Sequence, residues 1–199
     1  MKMKNKFLLT TIAITIIAMN SFAQVTGTLT DSRDWKVYKT VTIGTQTWMA
    51  ENLAYKASSG CWAYNDSIKY VSTYGYLYNW ATAKTVCPSG WHLPTDAEWT
   101  TLTTYLGGEM VAGAKLKSTT NWTSNYGTSN SSGFSALGGG YRNYKGAFVG
   151  IGTDGDYWSS SERSTASGAW ARTMNYNAIN IYRGDYDKVN GYSVRCLKD

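Results

Sequence analysis

The clearest short-range alternation runs through residues 37–43, VYKTVTI, where Val37, Val41 and Ile43 share a parity and β-branched residues dominate. Gly44-Thr45-Gln46 reads as a turn into residues 47–50, so residues 36–50 are predicted to form a hairpin. Residues 56–76 are polar and Tyr-rich without a period, which predicts a surface loop. Asn79 is placed to cap a short helix over 80–86, where Ala81 and Ala83 favour helix and Pro88-Ser89-Gly90 ends it. In WHLPTDAEW (91–99), Thr95 and Glu98 have capping-box spacing. Trp99, Leu102 and Leu106 then form one helical stripe, and Gly107-Gly108 stops it.

After Gly113 the character changes. Trp122, Phe134, Leu137, Tyr141, Phe148, Trp158, Trp170 and Tyr176 are separated by Gly, Ser, Asn and Thr clusters, which predicts short strands and long loops. A last strand is expected over 192–197. The pattern is α+β: two helices packed on small antiparallel sheets, with a long loop-rich second half.

Residues 1–23 stand apart. Lys2, Lys4 and Lys6 precede an apolar run over 7–19, and Ser21 and Ala23 supply the small residues that a signal peptidase reads. The run is shorter than the ~20 residues a membrane span requires. No Cys follows it, so a lipoprotein anchor is not supported. The expectation is an exported chain beginning at Gln24, a single domain over 24–199, either secreted, on the outer cell surface or in the periplasm. No membrane insertion is expected after cleavage.

The leader also accounts for half of the net charge of +6; without its three lysines, 16 basic residues face 13 acidic ones. No Lys/Arg cluster of nucleic-acid type remains, so nucleic acid is not an expected partner. A single His and three Cys argue against a multi-ligand zinc site and against a Ser-His-Asp triad. Export permits disulfides, and Cys61, Cys87 and Cys196 allow three alternative pairings. The 16 Tyr and 9 Trp against 4 Phe mark a chain rich in rings that carry a polar handle.

Five strings, in order, resemble the Fibrobacter succinogenes major paralogous domain family, common in exported proteins of Bacteroidetes-type bacteria. They are VYKTVTIGTQTWMAENL (37–53), YGYLYNWATAKTVCPSGWHLPTDAEWTTLTTYLGG (74–108), SGFSALGGGYR (132–142), YWSSSE (157–162) and GYSVRCLKD (191–199). The family is similar in turn to the C-type lectin fold. That likeness would place its landmarks at Ala83 and Cys87, at Gly90 to Leu93, at Glu98 and at Cys196. It implies a Cys87–Cys196 bridge with Cys61 as the odd thiol.

Three site chemistries follow. Calcium-dependent sugar binding needs several oxygen ligands, and the Glu-Pro-Asn and Trp-Asn-Asp strings of such lectins are absent. Asp154 and Asp156 read as a polar turn, so no metal or other cofactor is expected. HLPTDAEW also resembles the formylglycine-generating enzyme group, whose Cys-centred oxidation lacks a second late Cys here. His92 reads as structural, no acid–base pair is marked out by spacing, and an enzyme is not expected.

The third chemistry is a displayed binding surface. Tyr with Asn and Gly is the composition of adaptable binding loops, although Tyr also suits an ordinary β-ribbon. The expected ligand residues are Tyr176, Asn177, Asn180, Tyr182, Arg183, Asp185, Tyr186 and Asp187. Lectin-fold proteins with such endings resemble targets of diversity-generating retroelements, and each residue of 175–187 is reachable from an Asn codon by adenine changes. The expectation is a binding protein for a glycan or surface protein. An assembly subunit of the cell envelope is the alternative, and a formylglycine-type enzyme a further one.

Overall fold

The computed structural model describes residues 24–163 and 167–199, and the predicted leader (1–23) lies outside them. In chain order the strands and helices are β1 (Val25–Thr30), β2 (Val37–Ile43), β3 (Gln46–Met49), β4 (Cys61–Trp62), α1 (Val71–Tyr74), β5 (Leu77–Tyr78), α2 (Trp80–Ala83), β6 (Trp91–His92), α3 (Asp96–Tyr105) and α4 (Glu109–Leu116). The second half adds β7 (Gly139–Arg142), β8 (Phe148–Ile151), β9 (Asp154–Glu162), β10 (Gly168–Asn175), β11 (Tyr182–Asp187) and β12 (Leu197–Lys198). One sheet has the order β1-β2-β3-β12-β6, the other β11-β10-β9-β7-β8, and β4-β5 form a two-stranded ribbon. The architecture is mixed α+β, dominated by sheet.

The predicted hairpin is present, with Val41 opposite Trp48. Its strand is covered on both faces: Val41 and Ile43 enter one core cluster and Tyr38 the other, while Val37 lies exposed. The Thr95–Glu98 capping box forms with both hydrogen bonds, and Asn79 Oδ1 accepts from the backbone N–H of Thr82. Trp99 packs 4.9 Å from Trp48 and 6.1 Å from Tyr157, so the stripe of α3 joins the two sheets. Trp158 centres the other cluster, stacked 4.4 Å from Tyr192.

Several expectations are corrected. The helix over 80–86 ends at Ala83, because Val86 turns inward to the core and Cys87 is tied elsewhere. Residues 56–76 are not a plain surface loop: they hold β4, two 3-10 turns and α1, and Tyr64 and Tyr76 are buried. The two-helix reading misses α4, which restarts straight after Gly107 and Gly108, both at positive φ. Gly113 inside α4 is there for contact, since a Cβ at that position would lie 2.2 Å from the Asn180 carbonyl oxygen.

β1 is a further element beyond the predicted ones, an edge strand nearly all of which is exposed. The second half is less loop-like than expected, since β9 and β10 run nine and eight residues. The sheets are not wholly antiparallel, as β7 and β9 run parallel. The strand expected over 192–197 shortens to Leu197–Lys198. Residues 190–197 are instead wedged between the sheets and wholly buried, with Ser193 N–H bonding to the Asp156 carbonyl.

Cys87 and Cys196, 109 residues apart, are joined by a disulfide, and Cys61 is unpaired. Arg195 is fully buried beside the bridge. Its guanidinium donates to Asn52 Oδ1 (2.7 Å) and to the carbonyls of Met49, Phe134 and Ser135, fastening the 134–135 turn to β3.

Candidate functional site

The segment 175–187 divides into a turn and an edge strand. The turn, residues 175–181, lies over α4 and is held by its own main chain. Fully buried Lys117 donates from Nζ to the carbonyls of Ala178 (2.6 Å) and Asn175 (3.0 Å). Burial holds its pKa below the usual lysine range. The N–H of Ala114 bonds to the Ile179 carbonyl, and the N–H of Ile181 to that of Glu109. These anchors use backbone carbonyls and amides, so the side chains of Asn177 and Ile179 are left exposed. Tyr176 is half-buried against the core, and Asn180 is half-buried with its carbonyl against Gly113.

Along β11 the side chains alternate between faces. Arg183 forms a two-pronged contact with Asp96 (Nη2–Oδ2 2.8 Å, Nε–Oδ1 2.9 Å) and lies 3.4 Å over the ring of Trp170. Asp96 also accepts from Arg172, which is fully buried. Burial alone would raise the Asp96 pKa, but the hydrogen bonds from Arg183 and Arg172 bring it below the usual carboxylate value. Asp185 pairs with Arg163. Both residues expected to contact ligand are therefore already engaged in ion pairs. Asp187 is exposed beside a shallow hollow lined by Arg163 and Ser167.

On the other parity, Tyr182 is 60% exposed and Tyr186 turns inward. The Tyr186 ring lies across Gly184, where a Cβ would sit 2.7 Å from it, and its hydroxyl reaches Thr173 Oγ1 at 3.4 Å. The eight expected residues thus do not converge. Tyr176, Asn177, Asn180 and Tyr182 belong to the turn and its exit; Arg183 and Asp185 brace the opposite face; Tyr186 enters a cleft.

That cleft has a volume of about 410 Å³. Tyr141 of β7 and Tyr186 of β11 flank Tyr192, edge-on at 5.9 and 5.4 Å, and Tyr192 rests on Trp158. Asn143 and Tyr144 close one end, and Asp154, Asp156, Thr173 and Asn190 supply the remaining wall. Asp156 is 4% exposed; its Oδ1 accepts from Thr173 (2.7 Å) and its Oδ2 has no partner. Burial, with nearby Asp154 adding to it and the Thr173 hydrogen bond opposing, pushes the Asp156 pKa up to about 7. Asn190 Oδ1 is likewise buried without a partner. Asp154 is satisfied by Thr153 and Asn175.

The polar-turn reading of Asp154 and Asp156 missed this. They open β9, two residues apart, and share the face on which Trp158 follows. The D-x-D-x-W alternation was the available signal. A larger cleft, about 580 Å³, lies between β1–β2 and residues 118–135. Its buried Asn52 is satisfied by Arg195, Tyr74 and Ser193. His92 has both ring nitrogens engaged, Nδ1 with Asp199 (2.7 Å) and Nε2 with Glu98 (3.0 Å), and it ties the C-terminus to the start of α3. Among the described residues, no three His, Cys, Asp or Glu side chains cluster as metal ligands, and no helix is long and apolar enough to cross a membrane.

Residues 41–198 match the family model described as Fibrobacter succinogenes major domain. No curated protein and no solved structure matches. The match spans most of the chain, and the chain belongs to that family.

Proposed function

We propose that this member of the Fibrobacter succinogenes major domain family is an exported binding domain of C-type-lectin-like build, acting without covalent chemistry at the cell surface or beyond it. It recognises a glycan or a surface protein through the turn and edge strand from Tyr176 to Asp187. The observation that carries the reading is the buried Lys117 ammonium, which grips the turn by the carbonyls of Asn175 and Ala178. A turn whose main chain is gripped in this way keeps its shape independently of its exposed side chains, Asn177 and Ile179. Asn177, Ile179 and Tyr182 are thereby presented on a rigid support, the condition under which a contact surface binds with little ordering cost. The same anchoring suits a segment whose side chains vary between copies, as in retroelement-diversified proteins. The lectin-like build is supported by the Cys87–Cys196 bridge, which ties the chain after the first helical segments to the residue that leads into the terminal strand.

A screen of the protein against glycans and bacterial surface proteins tests the reading, followed by the double substitution Asn177→Ala/Tyr182→Ala. The expected result is a specific ligand whose binding the double variant weakens at least tenfold. Light scattering should show a monomer; a defined oligomer that shields Tyr182 would instead support an assembly subunit.

A further inference from the structure

The tyrosine-walled cleft contains two buried acceptor atoms that find no donor among the described residues, Asp156 Oδ2 and Asn190 Oδ1. A buried acceptor without a donor is costly, and a buried carboxylate without a counter-charge more so. Asp154 on the same wall adds a second carboxylate, and no residue lining the cleft is basic. Among the described residues, neighbouring elements bring no compensating cation: the ionisable groups coupled to Asp156 are Asp154 and Tyr157 on its own strand, Tyr141 on β7, Tyr186 on β11, and Tyr192.

We propose that this cleft is a binding site for a primary ammonium group, held between the carboxylates of Asp156 and Asp154 and the Asn190 amide oxygen, against the rings of Tyr141, Tyr186 and Tyr192. An ammonium carries three donors and no acceptor, which suits acceptors left over on the wall. Its charge compensates the buried carboxylate, whereas a sugar hydroxyl is uncharged and brings acceptor lone pairs along with its one donor. The rings add attraction for a cation near their faces, and the cleft volume lies within the range of small-molecule sites. An anion is repelled by both carboxylates. The group has two natural sources: a lysine side chain on a protein, or an amino sugar in a glycan.

This cleft shares only Tyr186 with the proposed Tyr176–Asp187 surface and lies apart from its exposed residues Asn177, Ile179 and Tyr182, so either proposal can fail while the other stands. Calorimetric titration of the protein at pH 8 uses Nα-acetyl-lysine methylamide and glucosamine as probes, each against its N-acetylated counterpart. At least one free amine is expected to bind, at least tenfold more tightly than its acetylated form. A tighter lysine probe assigns the ligand to a protein and a tighter glucosamine to a glycan. Asp156→Asn is expected to weaken binding tenfold or more, and Asn190→Ala to weaken it severalfold. Asn177→Ala/Tyr182→Ala leaves it unchanged, with thermal melts confirming that each variant is folded. Affinity for the lysine probe should fall about tenfold per pH unit below 7 as Asp156 takes up a proton. Equal binding of the acetylated probes, undiminished binding by folded Asp156→Asn, no amine binding at all, or saturation by calcium in place of the amine would overturn the proposal.

Discussion

Lys117 Nζ lies 2.6 Å from the carbonyl oxygen of Ala178, 61 residues further along the chain. The ammonium is fully buried among carbonyls and near the ring of Trp122, with no carboxylate bonded to it among the described residues. It works as a rivet: a cation stabilised by carbonyl dipoles in place of water. Lys117→Met should remove the donor, leave the Asn175 and Ala178 carbonyls short of a partner, and cost about 2–4 kcal/mol. Hydrogen exchange should then accelerate over 176–181 while α3 is unaffected. Unchanged protection in the turn would separate its order from this lysine.

Asp156 carries a stability cost that depends on pH. Its folded pKa, about 7, lies above the 3.8 of the unfolded chain, so the folded protein holds the extra proton between those values. The resulting stability is fully present below pH 3.8 and is lost as pH rises through 7, up to about 4 kcal/mol for a shift of that size. Asp156→Asn keeps an acceptor for Thr173 and removes the titration. The variant should match the parent near pH 4 and melt at a higher temperature at pH 8.

His92 has the same sign for a different reason. Burial lowers its pKa, but the hydrogen bonds to Asp199 and Glu98 outweigh that and raise it above 6.5. Its contribution is therefore complete below pH 6.5 and disappears as pH rises through the raised value. The ring is more than a third exposed, so the contribution should stay under about 1 kcal/mol. Denaturant midpoints of His92→Gln should fall below the parent at pH 5.5 and converge with it at pH 8.5.

The thiols give a chemical test of the covalent frame. With Cys87 and Cys196 bridged and Cys61 free, alkylation of the denatured protein should add one adduct before reduction and three after. Closing a 109-residue separation restricts the unfolded chain by roughly 4–5 kcal/mol in chain-entropy terms. Reduction should therefore lower the melting temperature markedly, and an unchanged melt would show that the bridge adds no net stability.

How much of the site was legible can be judged from its residues. Tyr186 was identified from composition, and the cleft it enters was not, because its other walls come from β7, β9, β10 and the chain beyond β11. Arg183 and Asp185 looked like free polar groups; their partners Asp96 and Arg163 lie 87 and 22 residues away. Side-chain type announces what a residue can do, while its availability depends on neighbours that no local window contains.

Local patterning by itself determined the hairpin that Val37–Ile43 opens and the Thr95–Glu98 cap, since each is closed by partners within a few residues, and it marked the stripe of α3, whose partners Trp48 and Tyr157 are distant. The mixed α+β class followed from the same short-range signals. Only the tertiary structure decided that β7 and β9 run parallel, that Gly113 must be glycine against the Asn180 carbonyl, and that 190–197 is wedged between sheets. It alone brought Asp156 and Asn190 to one buried wall where, among the described residues, each has an acceptor without a donor. Burial and pairing are properties of distant chain segments meeting in space, and they turn a short D-x-D alternation into a site.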